Sequence, residues 1–168
     1  MIKWGWIEIE GWGSGYQHWQ RVKIWNKTDT ALSFKIVPGD YMVALSIFDQ
    51  NMLIIDTVEV AIEAGGYVEK RVETVCTDYA KITDTTSRFS FHFYDKLDMP
   101  VKIAQSREGL LDLNNWVVTQ IMAWIHYNDI TDAELLAMKI YYVDPNNDIT
   151  YITQSQIDTA RVLYRALI

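Results

Sequence analysis

Few residues of this chain combine the type and spacing that chemistry requires. Asp144, Asn146 and Asp148 have the D-x-N-x-D spacing with which a loop converges oxygen ligands on calcium. The remainder of a calcium loop is missing. Ile149 stands where glycine makes the sharp turn, and Ser155 stands where a bidentate glutamate closes the shell. Asp-Pro-Asn-Asn-Asp therefore reads as a polar interhelical loop, with calcium as the weaker alternative. The single Cys76 excludes an intrachain disulfide. A lone thiol is either a nucleophile, where its surroundings favour the thiolate, or a small buried apolar residue. His18, His92 and His126 show no close metal-binding spacing, and the chain has neither a G-x-S-x-G turn nor a glycine-rich phosphate loop. Glu8 and Glu10, like Glu59, Glu63, Glu69 and Glu73, read as solvated strand surfaces. These absences favour a non-enzymatic protein without a cofactor.

The tryptophans are the other candidates. Five of the seven fall in residues 4–25, WGWIEIEGWGSGYQHWQRVKIW. Trp4 and Trp6 share one strand face, while Ile7 and Ile9 occupy the other. A strand apolar on both faces is central or covered by a partner. Trp12, Tyr16 and Trp19 surround a glycine-rich loop, and Trp25 closes the next strand. Such residues anchor subunit interfaces, fill a core or stack on sugar rings. Trp116 and Trp124 lie on a helical stripe and are expected in the core.

The positioning elements follow from periodicity. Alternation over Ile7–Glu10, Val22–Ile24, 31–36, 41–48, 53–62 and 67–75 predicts short strands, with turns at GWGSG, PGD and AGG. Phe89, Phe91 and Phe93 predict a further strand, which Pro100–Ala104 could pair. From Leu111 the period becomes helical, with Leu113, Trp116, Val117, Gln120, Ile121 and Trp124 on one face. Thr131–Glu134 and Thr153–Gln156 have the pattern of capping boxes and start two more helices, the first running to Tyr142. The expected architecture is α+β: an N-terminal antiparallel β-sandwich over 1–75, a β-rich connection over 76–110, and a three-helix C-terminal segment over 111–168.

Three resemblances appear along this frame. Segment 36–72, with Pro38-Gly39-Asp40-Tyr41 and the turn Ala64-Gly65-Gly66, resembles prealbumin-like β-sandwich modules of extracellular proteins, which implies a fold and no activity. Val75-Cys76-Thr77-Asp78, followed by Thr119-Gln120-Ile121-Met122-Ala123-Trp124, is similar to the T-Q-x-x-x-W pattern of thioester domains of Gram-positive adhesins. That resemblance implies a covalent Cys76–Gln120 bond that captures an amine on a host surface. The residues alone also read as a buried thiol at a strand end and a helix glutamine bonded locally. Finally, ITDAELLAMKIYY from Ile130 repeats as ITQSQIDTARVLY from Ile152, and the pair resembles degenerate EF-hand or dockerin units.

The chain of 168 residues is long enough for a real core, and 49% of it is apolar. A net charge of −7 without any Lys/Arg run disfavours nucleic acid. No apolar run suits a membrane span or secretory signal, so cytoplasmic synthesis, including that of a virion protein, is expected. The leading expectation is a structural or binding subunit of a virion, tail or surface appendage. It would meet protein partners or its own copies through an aromatic β surface. A thioester adhesin and a carbohydrate-binding module are the alternatives.

Overall fold

In the computed structural model, residues 2–14, 18–81, 84–93, 98–110, 112–140 and 150–168 are described. The strands are β1 (Ile2–Trp4), β2 (Ile7–Gly13), β3 (Trp19–Asn26), β4 (Leu32–Ile36), β5 (Tyr41–Ala44), β6 (Met52–Ile54), β7 (Val58–Ile62), β8 (Tyr67–Cys76) and β9 (Arg88–His92). Helices α1 (Met99–Gln105), α2 (Leu113–Asn128) and α3 (Asp132–Ala137) follow. The short pair β10 (Lys139–Ile140) and β11 (Thr150–Tyr151) precedes α4 (Gln154–Leu167).

The expected sandwich and three-helix segment are overturned. Strands β2-β3-β8-β6-β5-β9 pair antiparallel in that order, and β9 pairs back onto β2, so six strands close a barrel. Closure is possible because β2 splits one edge between two partners. Its first half takes β1 and its second half takes β9. A closed barrel leaves no free edge among its members, which a two-sheet sandwich does not achieve. Strands β4 and β7 form a separate two-stranded sheet.

Alternation divides inside from outside in β2, β3 and β9 but not in β5, where Met42, and not the expected face of Tyr41, Val43, Leu45 and Ile47, is fully buried. Ile9, Val22, Ile24, Met42, Met52, Ile54, Val72, Phe89 and Phe91 fill the interior and are fully buried. Gly11 permits this filling, because a Cβ there would collide with the Met42 side chain and crowd Phe89. The Pro38–Asp40 turn forms as expected. Gly39 has φ +103°, and the Asp40 carboxylate accepts the Val37 N–H at 2.8 Å.

Among the described residues the helices number four. Residues 99–105, where a strand could have paired, form α1, with Pro100 in its first turn, the position at which proline's missing N–H costs nothing. In α2, residues 116 to 124 are all buried, so this helix serves as core rather than as an amphipathic cover. Both capping boxes form, at Thr131/Glu134 and Thr153/Gln156. The helix expected to reach Tyr142 ends at Ala137, because the chain turns into β10.

Candidate functional site at the β8–α2 seam

Strand β8 is longer than the partner on one of its edges. Along β6, the N–H groups of Ile55 and Thr77 make ladder bonds with Glu73 and Asn51. Along β3, the last such bond runs from Thr74 N–H to His18 O at 2.9 Å. Backbone groups alternate between the two edges of an antiparallel strand. The N–H and C=O of Cys76 therefore face the β3 side, beyond the start of β3, in a buried position.

Helix α2 occupies that place with side chains. The Trp116 indole N–H donates to Thr74 O at 2.8 Å. One turn on, Gln120 makes a closed pair with Cys76. The Cys76 N–H donates to Gln120 Oε1 at 2.7 Å, and Gln120 Nε2 donates to Cys76 O at 2.6 Å. At the helix end, Asn128 donates to Thr77 O at 2.8 Å and accepts the Tyr79 N–H at 3.0 Å. The helix thus substitutes for a strand, which explains why Gln120 sits within the apolar part of the helix. Cys76 and Gln120, 44 residues apart, are both completely buried.

Two bonded atoms fix the Gln120 amide. With a carbonyl length of about 1.2 Å, its Cδ lies within roughly 4 Å of the Cys76 peptide nitrogen. The Cys76 thiol faces the barrel interior beside Met52, its direct cross-strand neighbour on β6. It also hydrogen-bonds the buried side chain of Gln50. Burial pushes the thiol far above its ordinary range, so it is protonated at neutral pH. His18 stands edge-on to Trp116, with ring centroids 6.3 Å apart. Burial, assisted by the Arg71 charge, lowers its pKa to about 4 and keeps the imidazole neutral.

The seam places Cys76 beside the Gln120 amide, with the Cys76 backbone N–H on the amide oxygen, but burial holds the sulfur as the thiol rather than as the thiolate that attacks a carbonyl.

The aromatic candidates are not gathered into one patch. Trp12, Trp19 and Trp25 are half-buried on the outer barrel face, under cationic side chains. Arg88 lies over Trp12 at 5.9 Å, Arg71 over Trp19 at 4.9 Å, and Lys23 and Lys27 over Trp25 at 5.3 and 5.6 Å. Trp6, 58% exposed, stands at the opposite barrel end from Trp12 and Trp19. Trp4 belongs to β1. Tyr16 and the Asp144, Asn146 and Asp148 trio lie outside the described residues. Trp116 and Trp124 are core, as expected.

His18, His92 and His126 lie on separate elements, and among the described residues no group of three His, Cys, Asp or Glu could hold a metal. No helix among them is long and apolar enough to cross a membrane. Sequence reasoning missed Gln50 and Asn128. Each sits in a polar run, Asp49-Gln50-Asn51 and Tyr127-Asn128-Asp129, so no local signal marks it. No family model, curated protein or solved structure matches the chain.

Proposed function

We propose that Cys76 and Gln120 join as an internal thioester and that the chain is a covalent adhesive module capturing an amine of a protein partner. The closed hydrogen-bonded pair between the Gln120 amide and the Cys76 peptide carries this reading. In formation, Cys76 Sγ attacks Gln120 Cδ, the thiol proton passes to the departing nitrogen, and ammonia leaves. In capture, a partner amine attacks the same carbon, an amide forms, and the Cys76 thiol is released. Neither step consumes an oxidant or a reductant. Capture requires the seam to open, since both residues are buried.

The test is incorporation of a fluorescent primary amine, followed by peptide mapping. Label at Gln120, lost in Cys76→Ala, supports the reading. Label that survives Cys76→Ala, or none over hours at alkaline pH, refutes it.

A second reading, an assembly subunit with an aromatic docking surface, is favoured by Trp6 and Tyr67 at one barrel end, 58% and 60% exposed. Leu45, Ile47 and Phe48 form an exposed tip between β5 and β6. Exposed aromatics of this kind are enriched at interfaces. Light scattering on the intact chain and on Trp6→Ala tests it. A monomer at every concentration removes the homo-oligomer.

A further inference from the structure

The outer barrel face carries a row of cations that the fold does not require. Arg71 on β8 is directly opposite Arg21 on β3, Arg21 is opposite Trp12 on β2, and Trp12 is opposite Arg88 on β9. Like charges directly opposed across strands destabilise a sheet. Arg71 has a carboxylate, Glu73 at 2.6 Å. Among the described residues, Arg21 and Arg88 have none within 4 Å, and this occurs on a chain of net charge −7.

The guanidinium groups are held in place. Arg88 donates to the carbonyls of Thr86 and Ser87 at 3.0 Å and rests over Trp12, while Arg71 rests over Trp19. Among the described residues, Arg21 reaches Gly13 O, at a long 3.4 Å. Between them lies a groove of about 260 Å³ lined by Trp12, Arg21, Lys23, Glu69 and Arg88.

We infer that this groove binds an acidic saccharide, with its carboxylates on Arg21 and Arg88, which two strand spacings set about 10 Å apart. Guanidinium forks match carboxylates bidentately. The indole edge offers an apolar surface to a sugar ring. Glu69, paired with Lys23 at 3.5 Å, is placed to accept from sugar hydroxyls. The site is separate from the Cys76–Gln120 seam and does not depend on it.

The test is calorimetric titration with a galacturonic acid trisaccharide, its methyl ester and a poly-glutamate peptide. The acid should bind, and esterification should weaken binding at least tenfold. Arg21→Gln and Arg88→Gln should each weaken it about tenfold, the loss of one charge-assisted contact. Lys35→Gln, on the separate β4–β7 sheet, should leave it unchanged. Both arginines are exposed, so circular dichroism should show intact variants. The inference is overturned if the ester binds equally, if poly-glutamate binds with the same arginine dependence, or if no probe saturates at millimolar concentration.

Discussion

The stability cost of Cys76→Ala separates a covalent seam from one held by hydrogen bonds alone. Alanine retains the Cys76 N–H and C=O, and so retains both bonds to Gln120. Without a cross-link, the variant loses only the packing of one buried sulfur, about 1 kcal/mol. With a thioester, it also loses the closure of the chain segment between residues 76 and 120. For residues 44 apart, loop-closure entropy gives about 4 kcal/mol at 25 °C. Gln120→Leu conserves volume but leaves two buried backbone groups without partners, at about 1–3 kcal/mol each, in addition to any cross-link. Urea unfolding with matched slopes measures all three proteins and the double variant. The account predicts that Cys76→Ala loses about 5 kcal/mol. It also predicts that the double variant falls well short of the sum of the singles, since one bond is broken only once. A loss near 1 kcal/mol for Cys76→Ala, with additive singles, would refute the covalent reading and leave Gln120 as a strand substitute only.

Other consequences are testable in the same way. Asn128→Ala should cost about 2 kcal/mol in urea unfolding, because Thr77 O and Tyr79 N–H lose their partner. The His18 pKa is depressed from 6.5 to about 4 in the fold, so the unfolded chain takes the proton first on acidification. Its contribution is fully present above pH 6.5 and is lost as pH falls toward 4, about 3 kcal/mol in all; His18→Gln should flatten the pH dependence of unfolding in that window. Gly39→Ala should destabilise by at least about 1 kcal/mol, since φ is +103° and Val101 crowds the position; an unchanged melting temperature would contradict this.

Local signals in this chain were readable and long-range ones were not. The capping boxes at Thr131 and Thr153, the Pro38–Asp40 turn and the apolar helix around Trp116 depend on neighbours in sequence, and each forms where its pattern stands. Barrel closure depends on Trp12 meeting both Arg21 and Arg88, which no periodicity specifies. Alternation through Leu45 and Ile47 suggested a longer β5. The strand stops at Ala44, and both residues are exposed, because an apolar period requires neither burial nor pairing. Helix α1 is too short to show its period, although Pro100 marked its first turn. The meeting of Cys76 with Gln120 was suggested only by a family resemblance, and its physical reason emerges from the unequal lengths of β8 and β3. The arginine row is invisible in sequence, since Arg21, Arg71 and Arg88 are neighbours through strand register alone.

Intact mass spectrometry of freshly purified, amine-free protein tests the covalent seam most directly. The account predicts a mass short of the sequence mass by one ammonia, restored to full length in Cys76→Ala and converted by methylamine to the methylamide with one free thiol. A mass equal to that of the unmodified sequence, with a thiol titratable on denaturation, would contradict it.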